Sequence, residues 1–137
     1  MTKKTFVPLL AVLLLAVGSL SAQISTAVKA DIPFDFTAGN ITMAAGEYVV
    51  ANTGHPGTLL LRGEGKQGMF IGSNAAQANR AATSSKLVFQ RYGDRYFLHE
   101  VWVQGEDRGS ELPMTKLEKE LRASNARPSS VTVLARK

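Results

Sequence analysis

The sequence predicts an all-β domain, an antiparallel sandwich or flattened barrel of about seven or eight strands with one short C-terminal helix. Three observations predict it. Lys86–Trp102 (KLVFQRYGDRYFLHEVW) sets Gly93-Asp94 between two runs rich in Val, Phe, Tyr, Leu and Trp, the pattern of a β-hairpin with a two-residue turn. Val28–Phe36 (VKADIPFDF) alternates strictly, with Val28, Ala30, Ile32, Phe34 and Phe36 on one face. Turn residues then recur between short apolar runs, at Ala38-Gly-Asn40, Gly54-His-Pro-Gly57 and Gly63–Gly68.

Taken in order, the chain starts with Lys3 and Lys4, an apolar run over Phe6–Leu20, and small residues at Ser19–Ala22. That is the layout of a secretory signal peptide over 1–22, cleaved after Ser21, after Ala22 or somewhat later. The run is shorter than the roughly 20 residues a membrane helix needs, and Pro8 and Gly18 interrupt it, so no membrane span is expected once the signal is removed. Residues 23–137 then form a single β-rich domain, periplasmic or extracellular. Cysteine is absent, which excludes disulfides, thiolate metal sites and a lipid-bearing cysteine, so core packing alone must hold the domain. The full chain carries sixteen basic and eleven acidic residues, a net +5. Loss of Lys3 and Lys4 leaves fourteen against eleven, or +3, and the cations are dispersed. No nucleic-acid partner is expected from such a surface.

Within the domain, Pro33 cannot donate to a ladder, which places Val28–Phe36 at an edge. Ile41–Met43 is a short return, and Ala45–Val50 leads from a turn into a strand. Thr58–Arg62 (TLLLR) is an apolar run that suits a central strand. Met69–Gly72 is another short strand. Residues 73–85 (SNAAQANRAATSS) hold no large apolar side chain and read as an exposed loop. Gln104–Ser110 reads as a polar loop. Thr115-Lys-Leu-Glu118 is a capping box opening a helix over 115–124, with Leu117 and Leu121 as its apolar stripe and Glu118 and Arg122 pairing on the exposed side. Residues 125–137 follow as an edge strand or tail.

In the hairpin, a regular ladder from the Gly93-Asp94 turn puts Leu87, Phe89, Arg91, Tyr96, Leu98, Glu100 and Trp102 on the core face. Val88, Gln90, Tyr92, Arg95, Phe97, His99 and Val101 take the other face, whose apolar members call for a cover. IPFDF (Ile32–Phe36), AGEY (Ala45–Tyr48), the Lys86–Trp102 hairpin and GSELPMTKLEKEL (Gly109–Leu121) together resemble a group of small exported proteins common in acidobacterial genomes. The resemblance spans most of the domain and implies export, but it supplies no activity. Ala44 departs from that group, where a proline precedes AGEY. Ala45–Tyr48 also resembles the AGxY-type turns of transthyretin-like and carboxypeptidase-regulatory sandwiches, which favours a sandwich over a barrel.

Chemistry is sparse. Gly63–Gly68 (GEGKQG) matches GxGxxG by letters, yet a strand follows it instead of the helix a dinucleotide site requires, so it reads as a hairpin loop. His55 and His99 lack ligand spacing, and no GxSxG or cysteine nucleophile exists, so no catalytic, metal or cofactor residues are assigned. Glu106-Asp107 with Glu111 lacks the spaced oxygens of a calcium loop. The candidate ligand-binding residues are Arg91, Tyr92, Arg95, Tyr96, Glu100 and Trp102, with Arg91 and Glu100 as polar anchors of a cavity mouth flanked by Tyr96 and Trp102. The function expected is a non-enzymatic binding or interaction module of the cell envelope, its partner a polysaccharide, a small molecule or an envelope protein. The alternatives are a small hydrolase using Glu47, Glu100 or Glu111, and a structural or secretion-associated subunit completed by strand addition.

Overall fold

The computed structural model describes residues 27–124 and 126–137, so the signal peptide expected over 1–22 lies outside the described residues. In chain order the strands are β1 (Ala27–Ile32), β2 (Phe36–Ala38), β3 (Ile41–Met43), β4 (Gly46–Asn52), β5 (Thr58–Gly63), β6 (Met69–Gly72), β7 (Asn74–Gln77), β8 (Ser85–Tyr92), β9 (Arg95–Trp102) and β10 (Arg108–Glu111). Helix α1 (Lys116–Ala123) and β11 (Ser129–Ala135) complete the chain. The all-β class and the short C-terminal helix are as expected. The eleven strands exceed the seven or eight expected because several are three- or four-residue pieces with little sequence signal.

Two sheets face each other. One runs β1-β4-β5-β6; the other runs β11-β8-β9-β10-β7, with β2 beside the N-terminal half of β9 and β3 beyond it. The sheets meet along both sides. Lys29 and Arg136 exchange backbone hydrogen bonds of 2.7 and 2.9 Å between β1 and the end of β11, and β6 bends at Ser73 straight into β7. The architecture is therefore a sandwich whose two sheets are tied together at both edges.

The core lies between the sheets. Val28, Ala30 and Ile32 point inward as their alternation predicts, meeting Tyr48, Val50, Leu59, Leu61 and Ile71 from one sheet and Leu87, Phe89 and Leu98 from the other. Each large side chain so buried contributes about 1.5–3 kcal/mol before entropy. Phe89 is the hub, edge-on to Phe34 at 5.0 Å and to Phe36 at 5.5 Å, while Phe34 stacks on Tyr96 at 3.8 Å.

Four local expectations are corrected. Val28–Phe36 is not one strand: it breaks at Pro33, whose missing N–H ends β1, and Phe36 starts β2 in the opposite sheet. Residues 73–85 are not all loop, because Asn74–Gln77 pairs along β10, where backbone bonds and small side chains suffice, and Ser85 is buried and accepts from the Gln104 amide at 3.0 Å. Correspondingly, the loop expected over Gln104–Ser110 ends at β10. The helix, finally, is rotated about its axis from the orientation expected: Glu118 is buried, Leu121 half-buried and Leu117 exposed.

Candidate functional site

A β-bulge decides where the hairpin residues go. From the turn outward, Tyr92 faces Arg95, Gln90 faces Phe97 and Phe89 faces Leu98, as expected, and Gly93 holds φ +60°. Val88 then faces Glu100 instead of His99, which is the extra residue. One extra residue inverts every later side chain. Val101 joins the core, while Glu100 and Trp102 move to the outer face with Val88. The expected Arg91–Glu100 anchor on one face is thus overturned.

The structure sorts the six candidate ligand-binding residues into three places. At the tip, the Arg91 guanidinium lies 5.3 Å from the centre of the Tyr96 ring, and its Nε donates to the Gly93 carbonyl at 2.7 Å; Arg95, paired with Tyr92 on the other face, is exposed. Tyr92 lies on the outer face beneath α1, where its hydroxyl donates to Glu118 Oε1 at 3.1 Å and accepts from Arg122 Nε at 3.0 Å. Burial is the main cause raising the Tyr92 pKa above 10.0; the Arg122 bond opposes it, and Glu118 adds to it. Thr115 Oγ1 accepts from the Glu118 amide, so only half of the capping box forms, because the carboxylate is taken by Tyr92.

At the base, the Trp102 indole donates to Glu100 Oε2 at 2.7 Å and packs over Gly109, where a Cβ would lie 2.6 Å from the ring. Trp102 is itself almost wholly buried. Glu111 of β10 faces Glu100 directly, and His99 Nε2 sits 3.7 Å from one carboxylate and 3.9 Å from the other. The bulge assembles this group. Among the described residues no His/Asp/Glu cluster is arranged to hold a metal ion, and no helix is long and apolar enough to cross a membrane.

A concave site lies elsewhere, at the corner where the chain passes from β6 to β7. It is a cleft of about 330 Å³. Val50, Leu59 and Val101 form its buried floor, with Val103 beside them. Its rim carries His55 from the β4–β5 turn, Ser73 from the bend, and Glu106, Arg108 and Ser110 from the segment around β10. The turn is braced: Asn52 Oδ1 accepts from Gly54 N at 3.1 Å, Thr53 Oγ1 accepts from His55 N at 3.2 Å, and Ser73 N donates to Gly57 O at 2.9 Å. Across the cleft, Ala78 N donates to Asp107 O at 2.8 Å and Ala82 N to Glu106 O at 2.9 Å. An apolar floor with a cation, a carboxylate, an imidazole and hydroxyls on a fixed rim can bind and orient a small ligand. Among the described residues no hydrogen bond joins His55 to Ser73 or Ser110, so no nucleophile–base pair is assembled there.

Reading the sequence alone missed this cleft. His55 reads as a turn residue and Arg108 as part of a polar loop, and no local pattern reports that the fold brings two distant turns together. No family model, curated protein or solved structure matches the chain.

Proposed function

We propose that this chain is an exported, non-enzymatic binding module of the cell envelope, and that its ligand seats in the cleft between the β4–β5 turn and β10. The cleft carries the reading: about 330 Å³ of space over an apolar floor, with Arg108, Glu106 and His55 at the rim. Its volume lies at the lower end of small-ligand pockets, which suits a small molecule or one unit of a polysaccharide. The basic, apolar and small-residue pattern at 1–22 supports export. Saturation-transfer NMR with envelope-derived oligosaccharides and small organic acids tests it. Binding should saturate, and Arg108→Gln or a cleft-filling Ser73→Trp should weaken it about tenfold or more. A folded protein that retains no member of such a panel at the cleft overturns the reading.

The paired carboxylates favour a second reading, a small hydrolase. Glu100 and Glu111 face each other with His99 within 4 Å of both. They stand on an open sheet face, however, and not among the residues of the cleft. Unchanged hydrolysis of envelope polysaccharide by Glu100→Gln would end this reading. Strand addition would have to use β6, β7 or β3, since β1 and the end of β11 are already bridged to each other.

A further inference from the structure

The glycine-rich loop that matched a phosphate-binding pattern by letters does take part in a basic groove, by a different geometry. Lys29 of β1, Val49 of β4 and Arg62 of β5 stand in one cross-strand row on the outer face of the four-stranded sheet. The loop after β5 turns back immediately, with Lys66 N donating to Gly63 O at 3.2 Å and Gly65 at φ +67°. This return lays the Lys66 side chain over Gly63, where a Cβ would lie 3.5 Å from Lys66 Cδ and 3.1 Å from the Tyr48 ring. The Lys66 stem is thereby held against the end of β5, and Lys66 and Arg62 border the same groove. Together these residues bound a groove of about 390 Å³ floored by Val49.

The charges in the groove do not cancel. Glu47 is taken by Lys29 on one oxygen and lies 3.8 Å from Arg136 on the other. The Lys29 hydrogen bond is the main cause lowering the Glu47 pKa, so this carboxylate stays ionised and committed to its two partners. Among the described residues, Arg62 and Lys66 have no ion-pair partner; Glu64 also borders the groove and pairs with neither. Two unpaired cations bordering one groove with an apolar floor favour an anion between them. Arg62 supplies a planar fork suited to two oxygens of one group, and Lys66 a point charge beside it.

We infer that this groove binds a phosphate-type oxyanion, held between Arg62 and Lys66 beside the Gly63–Gly68 loop, with room beside the anion for a sugar ring over Val49. The site is separate from the cleft, so each can fail without the other.

Amide chemical shifts of the full chain, titrated with inorganic phosphate, glucose 1-phosphate and glucose at low ionic strength, test it. Phosphate should move the amides of Val49 and Gly63–Gly68 saturably, and added salt should weaken the effect. Arg62→Gln and Lys66→Gln, both in exposed side chains, should each lower affinity about tenfold or more, whereas Arg95→Gln at the distant hairpin tip should leave it unchanged. Tighter binding of glucose 1-phosphate than of inorganic phosphate assigns a sugar phosphate; equal binding assigns the free ion. No saturable shift, equal weakening by Arg95→Gln, or equal binding of uncharged glucose overturns the inference.

Discussion

The two halves of the β8–β9 hairpin obey different rules. In the tip half, from Phe89 and Leu98 to the turn, every cross-strand pair follows from the Gly93-Asp94 loop. In the base half, His99 intervenes and the faces of Glu100, Val101 and Trp102 are inverted. The outer face is finished differently in each half as well. Over the tip, α1 covers Tyr92 through a polar chain of Arg122, Tyr92 and Glu118; over the base, Trp102 lies flat on Gly109. A turn transmits register along a ladder only as far as the first irregularity, and beyond it the core decides which residue turns inward.

Phe89 stands at the junction of the two halves, so its loss should damage both. It is fully buried and touches Phe34 and Phe36 edge-on. Phe89→Ala should destabilise the domain by about 3–5 kcal/mol, read as the shift in chemical denaturation midpoint. A single cooperative loss should be seen at Trp102 and in near-UV signals from the tip. Gly109→Val strikes the base alone. Its Cβ would fall 2.6 Å from Trp102 Cε3 and 2.8 Å from the Val101 carbonyl, a collision that side-chain rotation cannot fully relieve. The cost should be about 1–3 kcal/mol. Trp102 fluorescence should change while amide exchange at Tyr92 and Arg95 does not.

The same division explains what the sequence could disclose. Ile32, Phe36, Leu87 and Phe89 could be assigned to the core because period-two alternation and a glycine turn are local signals. His99 carries no local mark of a bulge: Glu100 and Val101 are both ordinary strand residues, and only the chance to bury Val101 selects the inverted arrangement. Glu118 misled for a related reason. Leu117 and Leu121 outline an apolar stripe, but the sheet offers a hydroxyl at Tyr92, and a buried carboxylate with a donor outweighs one exposed leucine. The cleft at the sandwich corner and the groove on the four-stranded sheet were less legible still. Each joins residues that only topology brings together, such as His55 with Arg108 and Lys29 with Arg62.

Tyr92→Phe tests the tip without touching the base. The buried Glu118 carboxylate would lose its hydroxyl donor and Arg122 its acceptor, at a cost of about 1–2 kcal/mol once Arg122 swings toward Glu118. Exchange should rise in α1 and stay unchanged at Trp102. Alkaline pH should act on the same contact. Because the folded Tyr92 pKa is raised above 10.0, chiefly by burial, the unfolded tyrosine ionises first. Its contribution is therefore complete below about pH 10 and lost as pH climbs through the folded value. Tyrosinate absorbance should show delayed ionisation of both Tyr48 and Tyr92, each raised chiefly by burial, and Tyr92→Phe should remove one of the two.

Deleting His99 should have the smallest effect on stability, although it shortens a central strand. With the extra residue gone, Leu98 still faces Phe89 and Glu100 still faces Val88, so the ladder becomes regular and no core side chain changes sides. The clear loss is the hydrogen bond from Leu112 N to His99 O, 2.8 Å long, which costs about 1 kcal/mol. Removing the imidazole also leaves Glu100 and Glu111 facing each other with no group between them, so added salt should recover part of the loss. Cross-strand contacts from Val88 to Glu100 and from Leu87 to Val101, read by NMR, should survive. If Glu100 instead enters the core and the domain loses more than about 3 kcal/mol, His99 is not the inserted residue, and the division between tip and base falls with it.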